Sequence, residues 1–588
     1  MSISANFPNL KPSFLADFAN SQVLDSRITF SRSTTAPYYD GKTSVLAEQN
    51  LVVYSQLIGG TGWTYAGANL TVATNATTAP DGTTTASTLT ATGTSAQHAT
   101  NLVTNTPTSP NYQTLSVYAQ AGTNNFVQLC YGVDANAYAN FNLSTGAVGT
   151  VGSTATATIT QVGSTTWYRC TVTTQSATAQ GFFLLICTSA TATRYESNTL
   201  TTSINLWGAQ LEQRSSTTAY NATTTTAITN YIPQLLTAPI NAPRFDFNPT
   251  TGESLGLLIE QSSTNLQLYS QSFDNAYWNK TNATITTTAN IAPDGTQTMQ
   301  LYVPNNGATI GSGTNLYKSV TLAAGSIAIS VYAKAKELTT FTLQDGSGNG
   351  GNFNLSAVTA TNVGTAVATI TSVGNGVYRC VATIASAGAN PYWFFYPSAG
   401  TANGYNGIYI WGAQLEALAF PTSYIPTTSA QVTRASDNAS MTGTNFSSWF
   451  NIAEGTIYSE TSAYVLNGTN WCISDGTSSN RILSGFDATY NLFVSANGTT
   501  QAQITVGSFT ANTFGKVAGV YKTNDFAVSL NSSTVGTDTL GIIPSVNQLQ
   551  IGGGAGNASN SILNGRLKKF AYYPIRVTNA QLQALTGT

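Results

Sequence analysis

The stretch "LWGAQLE" occupies residues 206–212, and "IWGAQLE" returns at residues 410–416. A Trp-Gly pair with one charge in seven residues is an unusual spelling to meet twice. It is either a repeated chemical signature or a strand copied along with its whole domain. The surrounding sequence favours copying. "NLVVYSQLIGGTGW" (50–63) returns as "NLQLYSQSFDNAYW" (265–278), and "APDGT" at 79–83 returns at 292–296. "SVYAQA" (116–121) returns as "SVYAKA" (330–335), and "WYRCTV" (167–172) as "VYRCVA" (377–382). The offset shrinks from 215 residues at Trp63 and Trp278 to 210 at Arg169 and Arg379, and to 204 at Trp207 and Trp411. Two homologous domains whose loops differ in length produce this drift; solenoid repeats have periods of only ~20–50 residues.

Each copy reads as short strands. "TLSVYAQA" and "IAISVYAKA" alternate with the period of two expected of a half-buried strand, and "APDGT" has the composition of a turn. In "GIYIWGAQLE" the same alternation puts Ile408, Ile410, Gly412, Gln414 and Glu416 on one face. Tyr409, Trp411, Ala413 and Leu415 fall on the other, apolar face, which predicts that Trp and Leu point into a sandwich core. Gly412 leaves room there for a neighbouring segment. The only convincing helix pattern is the C-terminal "TNAQLQALTGT". The expectation is an all-β chain of three antiparallel β-sandwich (jelly-roll) domains in tandem, the first two duplicated. The predicted boundaries are an N-terminal arm over 1–49, sandwich one over 50–237 and a connecting arm over 238–264. Sandwich two follows over 265–430 and a third sandwich over 431–588.

Bulk properties fit this division. At 588 residues the chain is too long for one core. Only 7% of residues are charged, against about 25% in an average soluble domain, so Thr, Ser, Asn, Gln and Gly must cover the surface. Aromatic residues at 10% supply cores, which argues against disorder. Net charge is −2 with no basic stripe, so no nucleic-acid partner is expected. No run of about 18 apolar residues predicts a membrane span, and the N-terminus lacks the pattern of a secretory signal. The five cysteines are irregularly spaced with no CxxC, which predicts buried, reduced thiols and folding in a cytoplasm.

The order "NL…YSQ…W", "SVYA", "YRC" and "WGAQLE" resembles carbohydrate-binding-module-type jelly rolls. Many such modules carry an Asp on the last strand that helps hold a structural calcium; here that stretch has Trp-Gly and no Asp, so no metal or cofactor is expected. Three further segments, "RITFSRSTTAPYYDG" (27–41), "PRFDFNPTTGESLGLLIEQSSTNL" (243–266) and "FPTSYIPTTSAQVTRASD" (420–437), are similar to segments that recur in virion proteins of tailed bacteriophages. The last quarter resembles laminin-G-like and concanavalin-like sandwiches, on the pieces at 517–521, 528–531, 549–552 and 565–582.

Catalytic chemistry is sparse. The single histidine, His98, lies in polar "GTSAQHATN" without a nucleophile elbow, which predicts an exposed loop residue. Glu212 and Glu416 are duplicated at a strand end, where a hydrogen bond or an ion pair with Arg169 and Arg379 is the plainer expectation than a glycosidase dyad. "GSGNGG" (346–351) has no following Lys-Ser/Thr and predicts a flexible loop between strands. Duplicated Trp63, Trp278, Trp207 and Trp411 read as core. Aromatics that were not copied are the carbohydrate-binding candidates: Tyr392, Trp393 and Tyr396 in "NPYWFFYPSAG", with Trp449, Trp471 and Tyr490 in the last domain. Alternation puts Tyr392, Phe394 and Tyr396 on one strand face and Trp393 and Phe395 on the other, so only one set is open.

The resemblances imply a non-enzymatic virion structural protein, a tail fibre or appendage displaying domains for host-surface attachment. The alternatives are a capsid-decoration or head-fibre protein and, from another class, a polysaccharide depolymerase. The partners implied are other virion proteins through the N-terminal arm, host cell-surface glycans, and further copies of the chain.

Overall fold

A computed structural model describes residues 11–65, 69–103, 111–176, 181–487, 489–557 and 561–587. The start of the arm, residues 1–10, lies outside them. The protein is all-β. It divides into two compact units, one comprising Val45–Ile232 with Thr287–Met299, the other Met1–Ser44, Pro233–Thr286 and Gln300–Thr588.

Sandwich one fills the first unit. One of its sheets runs Ala147–Val151, Tyr138–Asn142, Phe126–Tyr131, Gly181–Ile186, His98–Val103 and Thr64–Tyr65; the other centres on Trp167–Ser176, Asn111–Ala121 and Ser203–Glu212. The pairings are antiparallel. Sandwich two repeats the first sheet with Thr359–Val363, Gly350–Asn354, Thr340–Gln344, Tyr392–Pro397, Asn315–Ser319 and Asn279–Thr281. Its other sheet centres on Val377–Ala387, Gly325–Ala335 and Ile408–Glu416.

The WGAQLE strands explain why both copies keep this spelling. Each carries a β-bulge, seen as a register shift between Trp207 and Gln210 and between Ser330 and Tyr332 on the partner of Trp411. Gly208 and Gly412 take φ of 61° and 67°, a left-handed backbone that glycine adopts without penalty. A Cβ on Gly412 would lie 3.0 Å from the Tyr332 ring and 3.2 Å from that of Tyr424.

The extra residue shifts the alternation by one, which corrects the expected facing. Ile408 and Ile410 before the bulge, and Ala413 and Leu415 after it, all enter the core. Trp411 turns to the opposite side, 5.2 Å from the Tyr332 ring and 4.7 Å from Tyr424. Trp207 does the same, 5.3 Å from Tyr118 and 4.7 Å from Tyr220. Asn50 and Asn265 brace the bulges, each donating its side-chain amide to the carbonyl of Ala209 or Ala413 at 3.0 Å. Trp63 and Trp278 are buried as expected, each indole N–H donating to the carbonyl of Tyr54 or Tyr269 at 3.1 Å.

The third sandwich recruits strands from both predicted arms. Phe14–Ala16 pairs with Phe570 to Tyr572, and Thr29–Ser31 pairs with Asn438 to Ser440. Phe245–Phe247 and Ser254–Ile259 extend the same sheet as Gly565–Tyr573. Phe14, Phe18, Leu257 and Ile259 are buried in its core. The apolar side chains of these segments complete a hydrophobic core in place of facing water. The C-terminal helix forms over Asn579–Leu585, with a reciprocal cap between Thr578 and Gln581.

Candidate functional site

Segments 27–41, 243–266 and 420–437 converge on one buried cluster. Arg32 donates to Asp437 at 3.0 Å, and Arg244 bridges Asp437 at 2.5 Å and Glu260 at 2.8 Å. Arg434 stands 3.6 Å from Glu260. All of these side chains are essentially inaccessible to water. Burial alone would push the Glu260 carboxyl up, but the Arg434 and Arg244 guanidinia and hydrogen bonds from Ser423 hold it far below the ordinary carboxylate range. Removing one member would leave a buried charge unpaired, so the cluster holds the second unit together.

The other charged candidates are structural too. Glu212 accepts from the backbone and hydroxyl of Thr218, and Glu416 accepts from the same groups of Thr422 and from Ser263. Arg169 and Arg379 reach the carbonyls of those threonines at 2.6 and 2.7 Å, so each Arg meets its Glu only through a shared threonine. His98 is not an exposed loop residue. It sits fully buried on His98–Val103, its two ring nitrogens against the carbonyls of Asn69 and Asn198. All five cysteines are free and buried. Among the described residues no three His, Cys, Asp or Glu side chains are grouped as a metal would require.

Three of the aromatic candidates lie inside cores, a correction to their expected role as sugar platforms. Trp393 lies between the sheets, stacked on Phe273 and Phe395 and edge-on to Trp278, its indole N–H donating to the carbonyl of Ser330 at 3.0 Å. Trp449 and Trp471 are buried in the third sandwich. A Trp ring has so much apolar area that a strand's inward face is its default seat. Tyr490 lies on Thr489–Ala496 opposite Phe486 and Val506, and its side chain is outside the described residues.

Tyr392 and Tyr396 are different. They occupy the outer face of sandwich two with Phe394, as alternation requires; Tyr392 is 37% exposed and the other two half-buried. Tyr317 from the neighbouring strand completes the patch, 5.8 Å from Tyr392 and 5.7 Å from Phe394, and Phe394 meets Tyr396 at 5.5 Å. Sequence reasoning missed Tyr317, although "NLYKS" alternates as clearly as its neighbours. By register, none of the strand residues sharing this face is charged; Thr342, Gln344 and Asn352 flank the rings.

The glycine run beside the patch is a pinned turn, contrary to the flexible loop expected. Buried Asp345 accepts from the backbone of Ser347 and Asn349 at 2.8 and 3.0 Å, and its own carbonyl accepts from Tyr392 N–H. Gly346 has φ of 83°, and a Cβ there would lie 2.5 Å from the Tyr392 ring. The ring therefore rests on bare backbone, in a fixed position.

The corresponding face of sandwich one is closed. Residues 187–202, which connect Gly181–Ile186 to Ser203–Glu212, lie over it; the same connection in sandwich two, residues 398–407, is six residues shorter. Gln128, Cys130, Asn140 and Leu185 are fully buried beneath this strap. The Tyr195 ring packs edge-on against Phe183 at 4.9 Å, and Arg194 lies 3.8 Å over the Tyr195 ring.

No family model matches the chain, and no curated protein sequence does. Among solved structures it is similar to the CBM40 of Ruminococcus gnavus IT-sialidase bound to α2,3 sialyllactose, at 12% identity over 24% of this chain and 88% of that one, TM-score 0.22. It is also similar to the N-terminal CBM22-1–CBM22-2 tandem domain of Paenibacillus barcinonensis Xyn10C, at 13% identity over 63% and 97%, TM-score 0.20. A third likeness is to the LG1-3 region of the laminin α2 chain, at 9% identity over 81% and 95%, TM-score 0.19. Likenesses this distant carry no argument about function; the fold rests on the strand pairings above.

Proposed function

We propose that the protein is a non-enzymatic structural protein of a tailed-bacteriophage particle that presents the outer face of sandwich two to neutral glycans on the host surface. The observation that carries the binding reading is the open four-ring patch of Tyr317, Tyr392, Phe394 and Tyr396 on a sheet face without charge. A pyranose lays its C–H face on such rings while amides and hydroxyls at the margin meet its hydroxyl groups. The non-enzymatic part is supported by the engagement of Glu212, Glu416 and His98 in buried hydrogen bonds. The virion part is supported by the resemblance of segments 27–41, 243–266 and 420–437, whose Arg32, Arg244, Glu260, Arg434 and Asp437 meet in one buried cluster.

Binding of the full-length protein to an array of host-surface glycans tests the first part; no bound glycan at millimolar sugar would reject it. Immunogold labelling of purified phage particles tests the second. Label on the tail or its appendages is expected, label confined to the head would move the protein to the capsid, and unlabelled particles would reject a virion role.

A further inference from the structure

The strap of sandwich one occupies the place that a ligand of sandwich two would take, and its contacts show which groups that place accepts. Tyr195 N–H donates to Gln128 Oε1 at 2.9 Å, which fixes the Gln128 amide so that its Nε2 donates to Asn140 Oδ1 at 2.7 Å. Asn140 must then aim Nδ2 outward, and it donates to the strap carbonyl of Ala192 at 2.7 Å. One ring, Tyr195, lies against Phe183, and the Ala192 carbonyl, with that of Ala190 farther off at 3.4 Å, sits on Asn140.

Sandwich two preserves this arrangement without the strap. Thr342 pairs with Asn352 as Gln128 pairs with Asn140, and Phe394 stands opposite Gln344 as Phe183 stands opposite Cys130. The Thr342 hydroxyl donates to Asn352 Oδ1 at 2.6 Å, so Nδ2 of Asn352 again points outward. Asn352 is exposed, and among the described residues no protein group accepts from that Nδ2. A donor oriented by its neighbour, beside a ring platform, is a recognition element for a carbonyl oxygen on a stacked ring.

We infer that Asn352 is a specificity-determining residue, and that the face prefers N-acetylated amino sugars. The acetamido carbonyl takes the position of the Ala192 carbonyl on Asn352 Nδ2, and the pyranose takes the position of the Tyr195 ring on Phe394. The inference rests on the reading of this face as a glycan site. It also accounts for the closed copy, whose own peptide carbonyl and tyrosine saturate the same pair of groups.

The test is calorimetric titration of the full-length protein with tetramers of β-linked N-acetylglucosamine and of β-linked glucose. The N-acetylated tetramer is expected to bind about tenfold more tightly. Asn352→Asp keeps the acceptor for Thr342 and loses the donor; with an unchanged unfolding midpoint it should bring the two affinities within about twofold of each other. Asn352→Ala should do the same. Equal affinities in the wild type, or a preference that survives both substitutions, would overturn the inference and leave the glycan site standing. Binding of neither tetramer, together with a blank glycan array, would remove both.

Discussion

The two duplicated sandwiches share a sheet order, a bulge and a set of bracing asparagines, yet their equivalent faces have opposite fates. In the first copy a longer connection folds back and buries Gln128, Asn140 and Cys130. In the second a shorter connection leaves Tyr392, Phe394 and Tyr396 at the surface. The frame of a sandwich is thus specified independently of what its outer face does, and six residues of loop separate a sealed copy from an open one.

Deleting residues 190–195 would break this contrast most severely. Buried amides would lose their partners, and we expect the first sandwich to lose about 4 kcal/mol in denaturant unfolding. Cys130, whose thiol burial pushes far up, and Cys187, pushed up to about 12, should then react with a thiol reagent in the folded protein. Unchanged stability and unreactive thiols would show that the strap is not the cover described.

Among the differences in the loop after the bulge is Ala219 in the first copy against Ser423 in the second. Ser423 ties sandwich two to the buried charge cluster by donating to Glu260 through its backbone at 2.8 Å and its hydroxyl at 2.6 Å. Glu260→Gln should cost the second unit about 3 kcal/mol. The sign with pH follows from a carboxyl held low in the fold: its contribution is complete above the unfolded value of about 4.3 and is lost as pH falls below it. Unfolding midpoints measured from pH 5 to pH 3 should fall more steeply in the wild type than in Glu260→Gln.

Tyr392→Ala with Tyr396→Ala should weaken glycan binding by at least about tenfold while changing stability little, whereas Phe183→Ala in the sealed copy should cost about 3 kcal/mol and leave binding unchanged. Reversal of that pattern in paired titrations and melts would invert the assignment of faces. The smallest effect belongs to Ser423→Ala, which rewrites sandwich two in the spelling of sandwich one and should cost about 1 kcal/mol in the same melts.

Much of this was legible in the sequence. Strand alternation and the shrinking offset between copies disclosed two related sandwiches, and the fall from 210 to 204 already contained the longer strap. Its meaning was hidden, because a loop's length does not say which face it crosses. The facing of Trp411 was hidden as well: one glycine in the left-handed region shifts a strand's phase, and a glycine at a bulge is spelled like any other. Trp393, Trp449 and Trp471 read as surface residues only because they are unduplicated, although ring size argues for burial. The arms misled for a related reason. Their Phe and Arg residues look like docking groups until the strands that receive them, hundreds of positions away, are known.

The pairing of Phe14–Ala16 with Phe570 to Tyr572 sets an order of events on the ribosome. Ser13 donates to the Tyr572 carbonyl across 559 positions of chain, so Phe14–Ala16 waits for a partner strand made long after it. Sandwich one, drawn almost wholly from the run Val45–Ile232, closes during synthesis. The third sandwich seals only once Gly565–Tyr573 has been made, and a ribosome that stalls before that strand releases a chain with sandwich one finished and Phe14–Ala16 unpaired.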